Sequence, residues 1–237
     1  MSTPQPASSA AFVVGMLVHD DIVALDHVGP ATIFKLCGAT IHVIGASPRP
    51  VRTDIGLDVA PTMTFEQCPR DLDLIFVPGG LKGTLEAMSD SGVLAFLADR
   101  GGRAGHVASV CTGSLLLGAA GLLRGYRATS HWYARELLAS MGATPSAERV
   151  THDRNRITAA GATAGIDLAL TICAQARGQA AAENAQLVLE YDPKPPFFAG
   201  SPATADPALV AAVLARRGPL LEQARQAVLA PSPYYID

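Results

Sequence analysis

The run FVVGMLV (12–18) carries no polar residue at all, and LDLIFVPGG (72–80) is a second largely apolar run, stopped by Pro-Gly-Gly. A strand with one face in water alternates polar and apolar residues, so these two are expected to be covered on both faces. IHVIGAS (41–47) and HVASV (106–110) have similar strand length. Between and after them lie segments with apolar residues at helical intervals: DHVGPATIFKL (26–36), GVLAFLADRGG (92–102) and TGSLLLGAAGLL (112–123). Strand-helix alternation of this kind predicts an α/β fold with a largely parallel central sheet. The Gly-Gly pair at 101–102 is expected to cap its helix.

Further along, residues 51–61 read as a hairpin around Gly56, and YRATSHW as a short strand. HWYARELLASMG (131–142) reads as an amphipathic helix, RVTHDRNRITAAG (149–161) as two strands joined by a polar turn, and 164–178 and 180–191 as helices. A Pro-rich loop, DPKPPFFAGSP (192–202), leads to terminal helices from residue 206 to about Ala230. Phe197 and Phe198 in that loop belong either to a surface strap or to an apolar wall of the site. The expected organisation is a flexible tail over 1–10 and one domain over 11–237, including a C-terminal helical extension.

Composition removes several function classes. Of 237 residues 49% are hydrophobic and 16% charged, enough for a large core. A net charge of −3 offers no electrostatic footprint for nucleic acid. No uninterrupted apolar run reaches 18 residues, so no membrane span is expected. The opening MSTPQPASSA lacks the basic and apolar regions of a signal peptide, and a cytoplasmic location is expected. Cys37, Cys68, Cys111 and Cys173 form no CxxC pair or zinc-ligand spacing, so they read as free thiols with no metal or other cofactor implied.

Cys111 follows the strand HVASV directly and precedes a helix. Ligands of open parallel sheets bind beyond the carboxyl ends of the strands, and a nucleophile at such a sharp turn is held out of the sheet. The helix N-terminus is expected to favour thiolate there and to leave the sulfur exposed. Thr112 and Gly113 complete the turn, and Gly113 allows close approach of neighbouring backbone. Pro78-Gly79-Gly80 ends another strand, so its amides are expected on the same edge, where they could stabilise negative charge on a substrate. Alone, PGG is also an ordinary strand-ending turn. Asp26 is equally a helix N-cap or an acid-base partner of the thiol. His131, beside Trp132, is either a surface residue or a group that approaches the thiol.

The pieces ALDHVGP (24–30), FVPGG (76–80), SVCTGSLLLGAAGLLRGYRATSHW (109–132), GATAGIDLAL (161–170) and LEYDPKPPFFAGSP (189–202) resemble the ThiJ/PfpI superfamily, relatives of class I glutamine amidotransferases. More narrowly they are similar to the isonitrile hydratases. The resemblance implies a flavodoxin-like sandwich with helices on both sheet faces, a homodimer, and Cys111 as nucleophile. It also implies Asp26 where many superfamily members carry Glu, and Thr112 where the peptidase-like branch carries His. The acidic loop His19-Asp20-Asp21 departs from the pattern and is expected to alter pocket shape or surface charge. Regulators that share CTG and ATxHW append a helix-turn-helix, for which the stretch after Gly218 is too short.

The implied reaction hydrates an isonitrile, R–N≡C, to an N-substituted formamide. Cys111 attacks the terminal carbon to give a thioimidate. Asp26 relays the proton and later activates water, while Thr112 orients the thiol or the water. Gly79, Gly80, Gly113, His131 and Trp132 are the expected pocket residues, and the partner is a small molecule. The alternatives are a glyoxalase-like or deglycase-like hydrolase of small carbonyl compounds, which normally uses Glu, and a non-catalytic cysteine redox sensor.

Overall fold

A computed structural model describes residues 11–229 and Tyr234. The tail expected over 1–10 lies outside the described residues. In chain order the elements are β1 (Phe12–Leu17), α1 (Ala24–Leu36), β2 (Ala39–Gly45), β3 (Val51–Arg52), β4 (Asp58–Val59), β5 (Met63–Thr64) and β6 (Leu74–Val77). There follow α2 (Leu81–Met88), α3 (Ser91–Arg103), β7 (His106–Val110), α4 (Gly113–Ala119) and β8 (Arg127–Ala128). A 3-10 helix (Arg135–Met141), β9 (Thr144–Pro145), β10 (Val150–Asp153), β11 (Arg156–Ala159), α5 (Ala164–Arg177), α6 (Gln179–Val188) and α7 (Pro207–Leu229) complete the chain.

Seven strands form the central sheet in the order β10-β11-β7-β6-β1-β2-β5. Every neighbouring pair is parallel except β10 with β11. Side chains alternate across the sheet as a period of two requires. Val14 and Met16 of β1, with Leu74 and Phe76 of β6, pack on one face with Ile33, Phe34, Leu168 and Ile172. Leu17, Ile75 and Val77 face the other way, toward Leu85, Leu97, Leu115 and Leu116. Helices α1, α5 and α6 thus cover one face and α2, α3, α4 and α7 the other. Burial on both faces is the reason β1 and β6 carry no polar residue.

The chain turns back across the sheet at β1, which lies between β2 and β6. Loops that part at such a switch leave a crevice at the carboxyl ends of the strands. Three of them converge here: β1 to α1, β6 to α2, and β7 to α4.

Several local expectations need correction. Gly101 and Gly102 lie inside α3, which runs on to Arg103 and ends at Ala104. The region 131–142 is a turn followed by a 3-10 helix rather than an amphipathic α-helix. Its start is fixed by the site: the His131 amide donates to the Cys111 carbonyl at 3.3 Å. Helix α4 stops at Ala119, and the chain then turns at Gly121, φ 75°. The terminal helices are one helix, α7, with Pro219 inside it. Its second half anchors the fold through buried Leu221, Ala224 and Val228. Among the described residues no helix is long and apolar enough to cross a membrane.

Candidate active site

Cys111 has left-handed backbone, φ 56°, between β7 and α4. A residue with a Cβ pays roughly 1–2 kcal/mol for that region, so the surroundings must impose it. They do so through both of its peptide groups. The Cys111 amide donates to the carbonyls of Ala159, 3.1 Å, and Ala160, 2.7 Å. Its carbonyl accepts from Ser130 Oγ at 3.0 Å, Ser114 Oγ at 3.3 Å and the His131 amide. The segment ATSHW is therefore what holds the elbow from above.

Close approach holds it from below. A Cβ on Gly113 would lie 2.3 Å from the Val77 carbonyl oxygen, and one on Gly79 would lie 2.6 Å from the Thr112 nitrogen. The β6 and β7 loops interlock only because neither position carries a side chain. The Gly80 amide donates to Thr112 Oγ1 at 3.0 Å, and Thr112 Oγ1 shares a second hydrogen bond with Thr84 Oγ1 at 2.9 Å.

Asp26 is fully buried in the first turn of α1. It does not cap that helix, whose N-cap is Val23. Its Oδ2 instead accepts the Gly79 amide at 2.9 Å, and its Oδ1 has no hydrogen-bond partner. Burial, reinforced by the charge of Asp54, raises the carboxyl to a pKa of about 7, against the pull of the Gly79 amide and the Cys111 thiol. The thiol in turn is pushed well above its ordinary value by burial and by the Asp26 charge, with the Thr112 amide and hydroxyl pulling the other way.

This overturns the expected exposed, thiolate-favouring cysteine. Only 4% of Cys111 is accessible, and desolvation outweighs the short α4 N-terminus. The pair is a thiol beside a carboxyl with a shiftable proton.

A cavity of about 360 Å³ opens over Cys111. His131 and Trp132 line it as expected, and Tyr133 joins them. Burial and the Arg217 charge lower His131 to about 4, so the ring is neutral at pH 7. Gly79, Gly80 and Gly113, expected as pocket residues, pack against the loops under the thiol and are not on the cavity wall. The wall's far side is α7 and the end of the Pro-rich loop: Pro202, Leu209, Val210, Val213 and Arg217. Phe197 and Phe198 are absent from it and are 77% and 87% exposed. Asp20 and Asp21 are paired with Arg49 and Lys82 and lie off this cavity. Among the described residues no three His, Cys, Asp or Glu side chains group to hold a metal ion.

Sequence reasoning missed Thr84, Tyr133 and the α7 residues. Tyr133 stands two residues beyond His131, in the HWYARELLASMG stretch read as a helix, and was the legible one. Its phenol is pushed upward by burial and by the charges of Cys111 and Asp26.

Residues 13–175 match the DJ-1/PfpI family. The chain belongs to that family. It is 44% identical to the isonitrile hydratase of Pseudomonas putida over 213 residues, covering 90% of this chain and 92% of that protein. Among solved structures it is similar to a ThiJ/PfpI family protein from Pseudomonas syringae, 49% identical with a TM-score of 0.91, covering 92% of this chain and 91% of the other. Drosophila melanogaster DJ-1beta, 19% identical with a TM-score of 0.69 over 76% of this chain and 98% of its own, shares the fold. The DJ-1/PfpI match ends at residue 175, so the α7 part of the cavity wall lies outside it.

Proposed function

We propose that this protein hydrates isonitriles to N-substituted formamides, with Cys111 as nucleophile and Asp26 as the proton carrier. The observation that carries the reading is the buried Asp26–Cys111 pair beneath a small cavity, with the carboxyl near pKa 7 and one oxygen unpaired. The likeness to the Pseudomonas putida enzyme supports it.

Isonitrile carbon takes up both a nucleophile and a proton. As ionised Asp26 removes the thiol proton, Cys111 sulfur bonds to that carbon and Asp26 returns the proton to it, giving the thioimidate R–N=CH–S. A buried carboxyl balanced near neutrality suits both halves of this exchange. Water then adds to the same carbon: Asp26 takes a water proton and delivers it to nitrogen. The intermediate R–NH–CH(OH)–S collapses to R–NH–CHO as the C–S bond breaks and the hydroxyl proton passes through Asp26 to sulfur. Atoms balance as isonitrile plus water, and no redox change occurs. Thr112 orients the sulfur through its amide and hydroxyl.

The test is formamide production from cyclohexyl isonitrile by the purified protein, with Cys111→Ala and Asp26→Asn alongside. Loss of turnover in the first and a 10²–10⁴-fold drop in the second are expected, the range typical of acid-base groups. Turnover retained by Cys111→Ala would sink the mechanism, and no turnover by the reduced wild-type protein would sink the activity.

A further inference from the structure

Every wall of the cavity over Cys111 is apolar or uncharged except one. Among the described residues that line it, Arg217 on α7 is the single permanently charged side chain, because His131 is neutral. Arg217 makes no ion pair or hydrogen bond with any described residue, whereas arginines 49, 52, 100, 103, 127, 135, 149, 154 and 225 each sit beside a carboxylate. Its charge acts on both His131 and Tyr133, which line the same cavity. Leu209, Val210, Val213 and Pro202 line the same cavity as Arg217 and Cys111. A guanidinium with open donors above an apolar sleeve is a receptor for an anion joined to an alkyl chain, since arginine binds carboxylate through paired N–H donors.

We infer that Arg217 anchors a carboxylate on the substrate, so that the pocket selects isonitriles carrying a carboxylate a short alkyl chain away from the reacting carbon. The isonitrile half rests on the function proposed above; the carboxylate site does not. The isonitrile carbon sits at Cys111, the alkyl chain lies against Leu209 and Val213, and the carboxylate stays at the mouth where Arg217 meets solvent. The site is a matter of specificity: Arg217 touches no reacting atom.

The experiment compares 4-isocyanobutanoate with its methyl ester, which differ in the one charge. In the wild-type protein kcat/KM is expected to favour the acid by about tenfold, the range of one charge-assisted contact, mainly through KM. The ratio of acid to ester should fall to near one in Arg217→Met, stay intermediate in Arg217→Lys, and shrink with rising ionic strength. A binding arm uses the stable products, 4-formamidobutanoate and its methyl ester, on Cys111→Ala with and without Arg217→Met. Trp132 is the only tryptophan of the chain and lines the same cavity, so its fluorescence reports occupancy. Acid and ester binding equally to Cys111→Ala, or an acid preference that survives Arg217→Met, overturns the carboxylate site. Arg217-dependent binding of the acid without hydration of any isonitrile leaves the site standing and removes the proposed reaction. Hydration of acid and ester at equal kcat/KM does the reverse.

Discussion

The carboxylate of Asp26 meets the amide of Gly79 at 2.9 Å through one oxygen, and its other oxygen has no partner. Asp26 lies in the first turn of α1 and Gly79 in the turn after β6, so the bond joins the two connections that flank the sheet's switch point. It also leaves the carboxyl half-satisfied in a dry site. The Gly79 amide and the Cys111 thiol together stabilise the charged form too little to offset burial, so burial governs and the group titrates near neutrality.

That balance has a kinetic signature. On the proposed mechanism the free enzyme must start with Asp26 ionised and Cys111 protonated. Asp26 reaches that state above a pKa of about 7, and the thiol keeps its proton well past the usual range. The kcat/KM for a neutral isonitrile should therefore rise about tenfold per pH unit below 7 and flatten above it. Asp26→Asn should remove the inflection along with most of the rate. A profile flat from pH 5 to 8 in the wild type would contradict the assignment of Asp26.

The same carboxyl sets a stability cost. Its folded value, about 7, exceeds the ordinary 3.8, so the folded protein holds a proton that the unfolded chain has released. The stabilising contribution of Asp26 is thus fully present below pH 3.8 and is lost as pH rises through 7, by about 4 kcal/mol in all. Asp26→Asn keeps the shape and removes the ionisation. Urea unfolding at pH 8 should show the variant more stable by roughly 2–4 kcal/mol, with the gap closing toward pH 5. His27 and His131, both lowered to about 4, act in the opposite sense as pH falls below 6.5, but they do so equally in both proteins.

Much of this architecture was legible in the sequence because it follows local rules. The unbroken FVVGML and LIFV runs gave strands buried on both faces, and the DRN turn gave the β10–β11 hairpin. Cys111 after β7 was legible for the same reason: the end of a strand is a local signal. The failures concern what arrives from far along the chain. The cavity over Cys111 is walled in part by α7, about a hundred residues later, and no helix-terminus argument at Thr112 reveals the burial of the thiol. Helix α2 was hidden by its length, eight residues beginning directly after Gly80. Thr84 in that helix looks like any exposed helical threonine until α2 is laid against α4.

Thr84 offers a mild test of the support beneath the thiol. Its hydroxyl meets Thr112 Oγ1 at 2.9 Å in a fully buried site, while the Gly80 amide occupies another lone pair of Thr112. Thr84→Val keeps the shape but leaves the Thr112 hydroxyl with one fewer partner. A loss of about 1–2 kcal/mol in stability is expected, with kcat reduced severalfold. Thr112→Val strands both the Gly80 amide and the Thr84 hydroxyl and should cost more on each measure. Thermal unfolding and steady-state kinetics on the two variants check the order, and equal effects would place Thr84 outside the support.

Two glycines beside the site separate close approach from mere flexibility. A Cβ at Gly79 would stand 2.6 Å from the Thr112 nitrogen and 2.9 Å from Cys111 Cβ. Backbone is the first obstacle, and it cannot swing aside, so Gly79→Ala must drive the PGG turn away from the elbow. That displacement also pulls the Gly79 amide off Asp26 Oδ2. A cost of at least 2 kcal/mol in stability and a hundredfold or greater loss of kcat are expected, since small misplacements of reacting groups carry penalties of that size. At Gly161 the added Cβ meets only the His131 ring, at 3.6 Å, an ordinary contact. Gly161→Ala should therefore fold within about 1 kcal/mol of the parent, with any gain coming from the stiffer unfolded chain. Denaturation midpoints and kcat for the pair decide the matter: a tolerated Gly79→Ala would mean that the loops do not interlock as described.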